Sequence, residues 1–315
     1  MIGLRDRLRR KRGLRWTIVT SAPKGEAKEQ WGDTWFARDL ADALNRQGHM
    51  AKVVSRAGAN VNKREDDDVV LVLRGLREVQ PPPQRSNIWM MWVISHPELV
   101  TASEMDAYDA VFAASSHWRS PEGKAWTPLL QATNPRRFHP GVAPHDSGAQ
   151  LLFVGSTRGE FRPAVRAVVA SSRGQDLTVY GVGWQRFLPE DQIAGEFLAN
   201  EQLPTAYAAA EIVLNDHHTD MAEQGFLSNR LFDAVACGTR VVSDQAVGLK
   251  EVFGTSVVVF ESDEQLQQIV QQDPDLIFPS AQERLDIADR IARDHSFDAR
   301  AEVLIKRAMD LRGKR

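Results

Sequence analysis

Cysteine is nearly absent from this sequence: Cys237 is the single cysteine among 315 residues. This scarcity excludes an internal disulfide and a zinc site built from several thiolates, and it is typical of a protein that works in a reducing compartment. The residues just before Cys237, at 234–236, are small and apolar. We therefore interpret Cys237 as a buried core residue and not as a reactive thiol.

Long hydrophobic runs and a strong charge of one sign are also lacking. The longest apolar stretch, IWMMWVI at 88–94, is far shorter than the ~20 residues that a membrane-spanning helix needs, and no signal-peptide core follows Met1. The 39 basic and 42 acidic residues leave a net charge of -3, which gives no reason to expect a nucleic-acid partner. These absences predict a cytoplasmic globular protein.

The amino terminus departs from this balance of charge. Residues 1–15 contain seven arginines and lysines and one aspartate. Such a segment could bind anionic lipid at a membrane surface or a polyanionic acceptor. The alternative is a solvated tail that precedes the first strand.

Strands and helices alternate along the chain. WTIVTS (16–21), an amphipathic helix at 34–49 and MAKVVS (50–55) form a strand–helix–strand unit, which requires a parallel sheet covered by helices. Further strands are predicted at 68–75, 87–95, 109–115 and 127–132. After a segment rich in proline, glycine and polar residues at 136–150, the alternation resumes with strands at 151–156, 177–183, 211–216, 239–244 and 257–262 and helices near 162–173, 203–210, 279–294 and 297–312.

This pattern predicts an α/β protein with two Rossmann-like domains that face a cleft. We expect an amino-terminal domain at 1–145 and a carboxyl-terminal domain at 146–295. The last helix, at 296–315, is expected to pack back on the amino-terminal domain.

The first candidate binding residues follow the strand at 151–156, because ligands of open parallel sheets bind beyond the carboxyl ends of the strands. Gly155 permits close backbone approach, and Ser156 and the following helix start offer N–H groups to an anion. Arg158 and Arg162 could add charge-assisted bonds to phosphate. The segment matches neither the P-loop nor the G-x-G-x-x-G pattern, so a plain turn with solvated arginines remains an alternative.

Two further strand ends carry polar or aromatic residues. Trp184 follows LTVYGVG, where it could stack on a nucleobase or pack in the core. Asn215 begins the polar run NDHHTD. Its adjacent histidines point apart and no third ligand has a recognisable spacing, so we predict no metal site.

The stretch LSNRLFDAVACG, at 227–238, predicts a short, closely packed helix. If Ser228 or Asn229 caps it, free N–H groups of its first turn and Arg230 would form a pocket for a diphosphate. Asp233, one turn further, could accept hydrogen bonds from two ribose hydroxyls. The alternative is a surface pair of Arg230 and Asp233 that contributes little energy.

Four segments carry a resemblance to a known family. LLFVGSTRGEFR, VYGVGW, EIVLND and GFLSNRLFDAVACGTRVVS occur in this order, and the chain resembles the GT-B glycosyltransferases, more narrowly the bacterial group related to spore-maturation glycosyltransferases. The likeness covers roughly residues 150–270, and the rest only by architecture.

The resemblance implies a nucleotide-diphosphate sugar as the donor. Ser228, Asn229 and Arg230 would meet the diphosphate, and Asp233 would hold the ribose. Many relatives have a second glutamate eight residues earlier, where this chain has Gly225, so the sugar contact and the stereochemical outcome stay open. The predicted donor-binding residues are Gly155, Ser156, Arg158, Arg162, Gly181, Trp184, Asn215, Gly225, Phe226, Ser228, Asn229, Arg230 and Asp233.

The amino-terminal half supplies the candidates for acceptor binding and catalysis. WGDTWFARDLADALNRQGH resembles the loop and first helix beside which GT-B acceptors bind, with Gly32 and Thr34 on the acceptor side. His96, after an apolar strand, is the first candidate for the base that deprotonates the acceptor, and Asp33 is the second. A histidine that only caps the turn before Pro97 is the alternative.

The predicted function is the transfer of a sugar from a nucleotide-diphosphate donor to a hydroxyl-bearing acceptor. GT-B enzymes generally stabilise the departing diphosphate with helix N-termini and basic side chains, so the resemblance implies neither a metal nor a cofactor. Two alternatives remain: a nucleotide-sugar epimerase or hydrolase on the same scaffold, and a non-catalytic nucleotide-binding module. The sequence specifies neither the nucleobase, the sugar, the acceptor nor the oligomeric state.

Overall fold

The computed structural model describes residues 13–25, 28–29, 31–60, 64–144 and 148–314. It divides the chain into two units, Met1–Leu130 with Phe297–Arg315, and Gln131–Ser296. Residues 1–12 of the basic amino-terminal segment lie outside the described residues, so its predicted contacts stay predictions.

Each unit alternates strands with helices. The amino-terminal unit contains β1 (Arg15–Thr20), α1 (Gly32–Arg46), β2 (Met50–Ser55), β3 (Val69–Arg74), β4 (Ile88–Val93), α2 (Ala102–Asp106), β5 (Ala110–Ala113) and β6 (Thr127–Pro128). The carboxyl-terminal unit contains β7 (Leu151–Val154), α3 (Pro163–Val169), β8 (Leu177–Tyr180), β9 (Ile193–Gly195), α4 (Leu203–Ala209), β10 (Ile212–Asn215), α5 (Thr219–Glu223), α6 (Asn229–Ala236), β11 (Arg240–Asp244), α7 (Leu249–Phe253), β12 (Val257–Phe260), α8 (Asp263–Gln271), α9 (Pro274–Ile277) and α10 (Ala281–Asp294). The last helix, α11 (Phe297–Arg312), belongs to the amino-terminal unit.

Both sheets are parallel and six-stranded. Their strand orders are β2-β1-β3-β4-β5-β6 and β12-β11-β10-β7-β8-β9. In each sheet the order reverses direction beside the first strand, between β1 and β3 and between β7 and β10. Such reversals open a crevice beyond the carboxyl ends of the two strands, where ligands of this fold class bind.

Apolar runs explain why these segments form central strands. Every residue of β3 (VVLVLR) and of β4 (IWMMWV) is buried, as expected for strands covered by helices on both faces. The stripe of α1 that faces the sheet comprises buried residues spaced by three or four, among them Phe36, Leu40 and Leu44. The predicted α/β class with two Rossmann-like domains is confirmed.

The division between the units lies earlier than the predicted boundary after residue 145. The sequence predicted a linker at 136–150 because that segment is rich in proline, glycine and polar residues, yet the chain is bonded to the carboxyl-terminal unit from residue 131 onward. The Thr133 N–H donates to the His295 carbonyl at 2.9 Å, and the Arg137 guanidinium donates to the Asn200 carbonyl at 2.8 Å. These bonds join the segment to the second unit.

The helix α11 packs on α1 within the amino-terminal unit. The Phe36 and Phe297 rings meet edge to face with centroids 4.7 Å apart, and Arg46 forms an ion pair with Asp298 at 2.9 Å. Among the described residues, no helix combines the length and apolar character needed to cross a membrane.

Candidate functional site

The guanidinium of Arg230 lies at the strand reversal of the carboxyl-terminal sheet. It donates to the Val154 carbonyl at the end of β7 and to Asn215 Oδ1 at the end of β10, the latter at 2.8 Å. It also lies over the Phe153 ring, 4.8 Å from the centroid, and bonds to the Tyr207 hydroxyl. Burial lowers the pKa of Arg230 and raises that of Tyr207. A surface pair with Asp233 is therefore excluded as the main role of Arg230.

Two glycines make room for this arrangement. A Cβ on Gly155 would lie 2.9 Å from Arg230 Nη2, too close for a real contact. Gly181 has φ of 146° and passes so near the Gly155 carbonyl that a Cβ would clash with it. The glycines that the sequence associated with ligand approach thus accommodate a guanidinium and a crossing backbone.

Arg162 does not face a ligand, contrary to the sequence-based expectation. Its side chain is buried and forms an ion pair with Asp216, and it donates to the Ser156 carbonyl at 3.1 Å. Because its hydrogen bonds go to the protein, Arg162 holds the 156–162 loop to the end of β10.

Arg158 differs from Arg162 in its exposure, its backbone conformation and its lack of hydrogen bonds to the described residues. It is exposed and its backbone is left-handed, with φ of 56°, a conformation that costs a non-glycine residue energy and recurs at functional sites. Within the described ranges, no residue forms a hydrogen bond or ion pair with its guanidinium. Although the residue as a whole is exposed, partial desolvation of the guanidinium, followed by the charges of Arg162 and Arg230, lowers its pKa to about 10, and the charges of Asp216 and Glu160 oppose the shift. The loop therefore presents an exposed cation near two other arginines.

His217 fixes the loop that precedes α6, a role the sequence did not suggest. Its Nε2 accepts the Ser228 N–H at 3.0 Å, and its Nδ1 lies 2.6 Å from Asp244 Oδ1. Because Nε2 accepts, the ring proton is on Nδ1 and is donated to Asp244. Asp244 Oδ2 also accepts the His217 backbone N–H at 2.8 Å. Two strand ends, β10 and β11, thus hold the start of α6.

The start of α6 confirms one sequence expectation and corrects another. Ser228 is the N-cap residue, but its hydroxyl makes no cap hydrogen bond, and its N–H is already donated to His217. The free first-turn N–H groups thus belong to the residues that follow Ser228. The prediction that the Ser228 side chain caps α6 is therefore wrong.

Asn229 and Asp233 form a hydrogen-bonded pair one turn apart on α6. Asn229 Nδ2 donates to Asp233 Oδ2 at 2.8 Å, and Asp233 exposes 8% of its surface. Asn229 Oδ1 is buried and, among the described residues, accepts no hydrogen bond. An acceptor in this state costs free energy, and a hydroxyl from a ligand would satisfy it.

Other predicted donor-binding residues are structural in this unit. Trp184 is fully buried and donates its indole N–H to the Gly155 carbonyl at 2.8 Å, so stacking on a nucleobase is wrong. Phe226 is also fully buried. Gly225 is buried with φ of 71°, which suits glycine at the turn after α5. Asn215 is buried and orients Arg230.

The two catalytic candidates are electrostatic neighbours in the amino-terminal unit. Asp33, in the first turn of α1, interacts electrostatically with His96, which follows β4. A Cβ on Gly75 would lie 3.3 Å from Asp33 Oδ2 and 3.2–3.3 Å from the hydroxyls of Ser21 and Ser95. These polar groups, which the sequence did not single out, therefore converge where Gly75 leaves space.

Burial dominates the electrostatics of Asp33. It raises the pKa of the carboxyl from 3.8 to about 6, and the charge of His96 opposes the shift. His96 has left-handed φ and ψ of 53° and 52°, and its Nδ1 lies 3.1 Å from Glu98 Oε1. It occupies the N-cap position of the turn that begins at Pro97, but its side chain makes no cap hydrogen bond.

The predicted acceptor-side residues differ in exposure. Gly32 is exposed at the start of α1, whereas Thr34 is buried. Among the described residues, no group of three or more histidine, cysteine, aspartate or glutamate side chains could hold a metal ion.

Comparison with known proteins connects this geometry to a family. Residues 158–306 match the glycosyl transferase-like family, a region that includes α3, α6 and the loop with Arg158. None of the curated proteins matches the sequence significantly.

Solved structures resemble nearly the whole chain. Sucrose-phosphate synthase from Thermosynechococcus elongatus is 14% identical with a TM-score of 0.65, over 96% of this chain and 100% of that one. Anabaena HepE in complex with UDP is 13% identical with a TM-score of 0.60, over 94% and 100%. The complex of HepE with UDP-glucose is 12% identical with a TM-score of 0.58, over 96% and 100%.

These similarities confirm the GT-B fold and a glycosyltransferase-like carboxyl-terminal unit. At such identities the solved structures establish the fold alone. The narrower relation to spore-maturation glycosyltransferases stays a prediction.

We predict that His217→Ala lowers the free energy of unfolding by about 2 kcal/mol, because the change leaves the Ser228 N–H and the Asp244 carboxylate without their buried partner. Urea denaturation measures the loss. His218→Ala, at the adjacent position, is the matched control and should cost less. Equal losses in the two variants would contradict the anchoring role of His217.

We predict that Asp33→Asn stabilises the protein at neutral pH. The folded-state pKa of about 6 exceeds the unfolded value of 3.8, so the stability supplied by the protonated carboxyl is complete below pH 3.8 and is lost as pH rises through 6. The variant should therefore gain about 2 kcal/mol above pH 7 and little below pH 4.

Asp42→Asn is the control, since Asp42 is exposed on the same helix. The measurement is the free energy of unfolding of both variants across pH 4–8. A gain for Asp33→Asn that does not change with pH would show that burial of the charge is not its cause.

Proposed function

We propose that this chain, whose residues 158–306 match a glycosyl transferase-like family and whose two sheets have the GT-B fold, transfers a sugar from a nucleotide-diphosphate donor to a hydroxyl-bearing acceptor. The donor diphosphate binds at the strand reversal of the carboxyl-terminal sheet. The observation that carries the proposal is the exposed guanidinium of Arg158, which forms no ion pair with the described residues and lies near Arg162 and Arg230.

Electrostatics favour an anion with more than one charge at this place. Three arginines share the region with two carboxylates, Asp216 and Glu160, and Asp216 is paired with Arg162. Arg158 makes the direct contact with the diphosphate in this proposal, together with free N–H groups at the start of α6. Arg230 contributes its positive charge to the site, and its hydrogen bonds to β7 and β10 hold it in place.

The Asn229–Asp233 pair is the proposed ribose site. Asp233 offers carboxylate oxygens as acceptors, and Asn229 Oδ1 is an acceptor that awaits a hydroxyl. Ribose hydroxyls supply such donors. Anabaena HepE, which has the same fold, is known in complex with UDP. Because Asn229 and Asp233 offer acceptors for ribose hydroxyls, we propose that this chain also binds a nucleotide-sugar donor.

The departing nucleoside diphosphate needs stabilisation of its developing charge. Preorganised N–H groups and fixed cations act strongly in such sites because they need little reorganisation during the reaction. We propose that Arg158, the α6 N-terminus and the field of Arg230 supply this stabilisation, and that neither a metal ion nor a cofactor is required.

Asp33 and His96 are the proposed catalytic groups. A carboxylate with a pKa near 6 is a better base than an ordinary aspartate and is still ionised at neutral pH. Asp33 then accepts the proton of the acceptor hydroxyl, while His96 stabilises the ionised carboxylate. The order of the two candidates is thus the reverse of the sequence expectation.

We propose the cytoplasm as the place of action. The scarcity of cysteine supports a reducing compartment. Contact of residues 1–15 with anionic lipid or a polyanionic acceptor remains part of this proposal.

We predict that UDP, GDP or dTDP raises the melting temperature, because ligands that bind the native state stabilise it. Arg158→Asn should weaken the affinity about tenfold or more through loss of a charge-assisted contact, and asparagine tolerates the left-handed backbone there. Asp233→Asn should weaken it less. Calorimetric titration measures the dissociation constants.

Arg186→Asn is the matched control, since Arg186 is an exposed arginine of the same unit. Its affinity should equal that of the unaltered protein. If no nucleoside diphosphate binds, or if Arg158→Asn and Arg186→Asn behave alike, the diphosphate site is wrong.

We predict acceptor-dependent release of nucleoside diphosphate, unaffected by EDTA, with kcat/KM falling as pH drops below about 6 as Asp33 is protonated. Mass spectrometry of the products, with and without a panel of acceptors, is the measurement. Turnover of the donor without any acceptor would favour the epimerase or hydrolase. Binding of the donor without turnover under any condition would favour the non-catalytic module.

A further inference from the structure

A small cavity lies beside the amino-terminal sheet. It is bounded by the carboxyl ends of β1 and β2 and by the first two turns of α1, and has a volume of about 100 Å³. One ordered water needs roughly 10–15 Å³ by this measure, so the cavity holds several waters or one compact polar group. We call it the α1 cavity.

The lining of the α1 cavity is cationic and rich in hydroxyls. Lys28 and Arg38 supply two positive charges, and Thr20, Thr34 and Ser55 supply three hydroxyl groups. The other described lining residues are apolar, and none is acidic. The composition therefore favours an anion over a cation or a neutral apolar group.

Glu29 neutralises one of the two cations. Both terminal nitrogens of Arg38 donate to the Glu29 carboxylate, at 2.6 Å each, and this contact lowers the pKa of Glu29. The charge of Lys28 thus remains in excess. A negatively charged ligand in the cavity would neutralise this remaining positive charge.

Thr34 gives the second, independent indication of a ligand. The residue is 3% exposed and lines the cavity, and its Oγ1 has no hydrogen-bond partner among the residues that the structure describes. A buried hydroxyl without a partner is costly. Thr34 also lies in the first turn of α1, where the helix N-terminus favours negative charge.

We propose that the α1 cavity binds a phosphoryl group of the acceptor, an inference that rests on the proposed transfer of a sugar to that acceptor. A phosphoryl group offers three terminal oxygens, each able to accept several hydrogen bonds. These oxygens match the convergent donors of Lys28 and the three hydroxyls better than the two oxygens of a carboxylate do. The substrate class is therefore a phosphomonoester that also carries a free hydroxyl.

The first test is titration of the full chain with inorganic phosphate at constant ionic strength, followed by calorimetry and thermal shift. Lys28→Met and Thr34→Val should each weaken phosphate binding about tenfold, the effect of losing one hydrogen bond to a charged group. Lys24→Met is the control, because Lys24 is exposed in the same loop and does not line the cavity. It should change the affinity less than twofold.

Thr34→Val separates loss of a ligand contact from loss of the fold. The substitution removes a hydroxyl that has no partner, so without phosphate the variant should be as stable as the unaltered protein or more stable. Its melting temperature should rise less on addition of phosphate. Unchanged phosphate affinity in both Lys28→Met and Thr34→Val would overturn the proposal.

Two further arms identify the source of the phosphate. Glycerol 3-phosphate should compete with inorganic phosphate, whereas glycerol should not; a phosphomonoester that fails to compete would overturn the acceptor assignment. UDP affinity should be unchanged in Lys28→Met, and its loss would assign the cavity to the donor diphosphate instead. Phosphate binding with the predicted variant pattern, but without any sugar transfer, would refute the proposed function and leave the anion site standing.

Discussion

The hydrogen bonds of the half-buried Arg230 guanidinium are the interaction on which the carboxyl-terminal site depends. A cation removed from water costs several kcal/mol unless its donors are satisfied, and here a carbonyl at the end of β7, an amide at the end of β10 and a tyrosine hydroxyl on α4 satisfy them. The arginine thereby ties α6 to both strands at the reversal. Gly155 is required beside it because any side chain there would enter the space of the guanidinium.

The charge of Arg230 also affects the electrostatics of the loop that carries Arg158. Arg162 is compensated by Asp216, whereas Arg230 is satisfied mainly by neutral groups, so positive potential reaches the exposed loop with Arg158. In the amino-terminal unit a carboxylate plays the corresponding part. Asp33 is half-buried, and desolvation of its carboxyl raises its pKa, which means that the ionised form is accommodated at a cost. Each unit thus holds one charged side chain whose partial removal from water costs free energy, Arg230 in one unit and Asp33 in the other. Both lie where open parallel sheets bind ligands.

The sequence predicted the architecture well where periodicity is strong. The buried strands β3 and β4 and the helices α1 and α11 follow directly from apolar runs and stripes. Several short or polar elements were missed. The strand β9 has only three residues, and α8 (DEQLQQIVQ) is dominated by polar residues, with a narrow apolar stripe of Leu266, Ile269 and Val270. The helices α2, α5, α7 and α9, of four or five residues each, were not predicted either. The unit boundary was misplaced because proline and glycine indicate a linker, while the bonds that order the segment come from residues distant in the chain.

The candidate site was predictable as a place but not in its details. Strand ends and the resemblance pointed to the 155–162 loop and to α6. Which arginine is buried depends on tertiary packing, so Arg158 and Arg162 were indistinguishable in the sequence. His217 was visible only as a member of a polar run, because its role arises from a backbone N–H and from Asp244 on another strand. The pairing of Asp33 with His96 likewise requires the fold.

The most direct test of the central claim is a crystal structure of the protein with a bound nucleoside diphosphate. The account predicts phosphate oxygens within hydrogen-bond distance of the Arg158 guanidinium and of the first N–H groups of α6, with ribose hydroxyls on Asn229 and Asp233. Phosphates bound elsewhere, with Arg158 still directed into solvent, would contradict it.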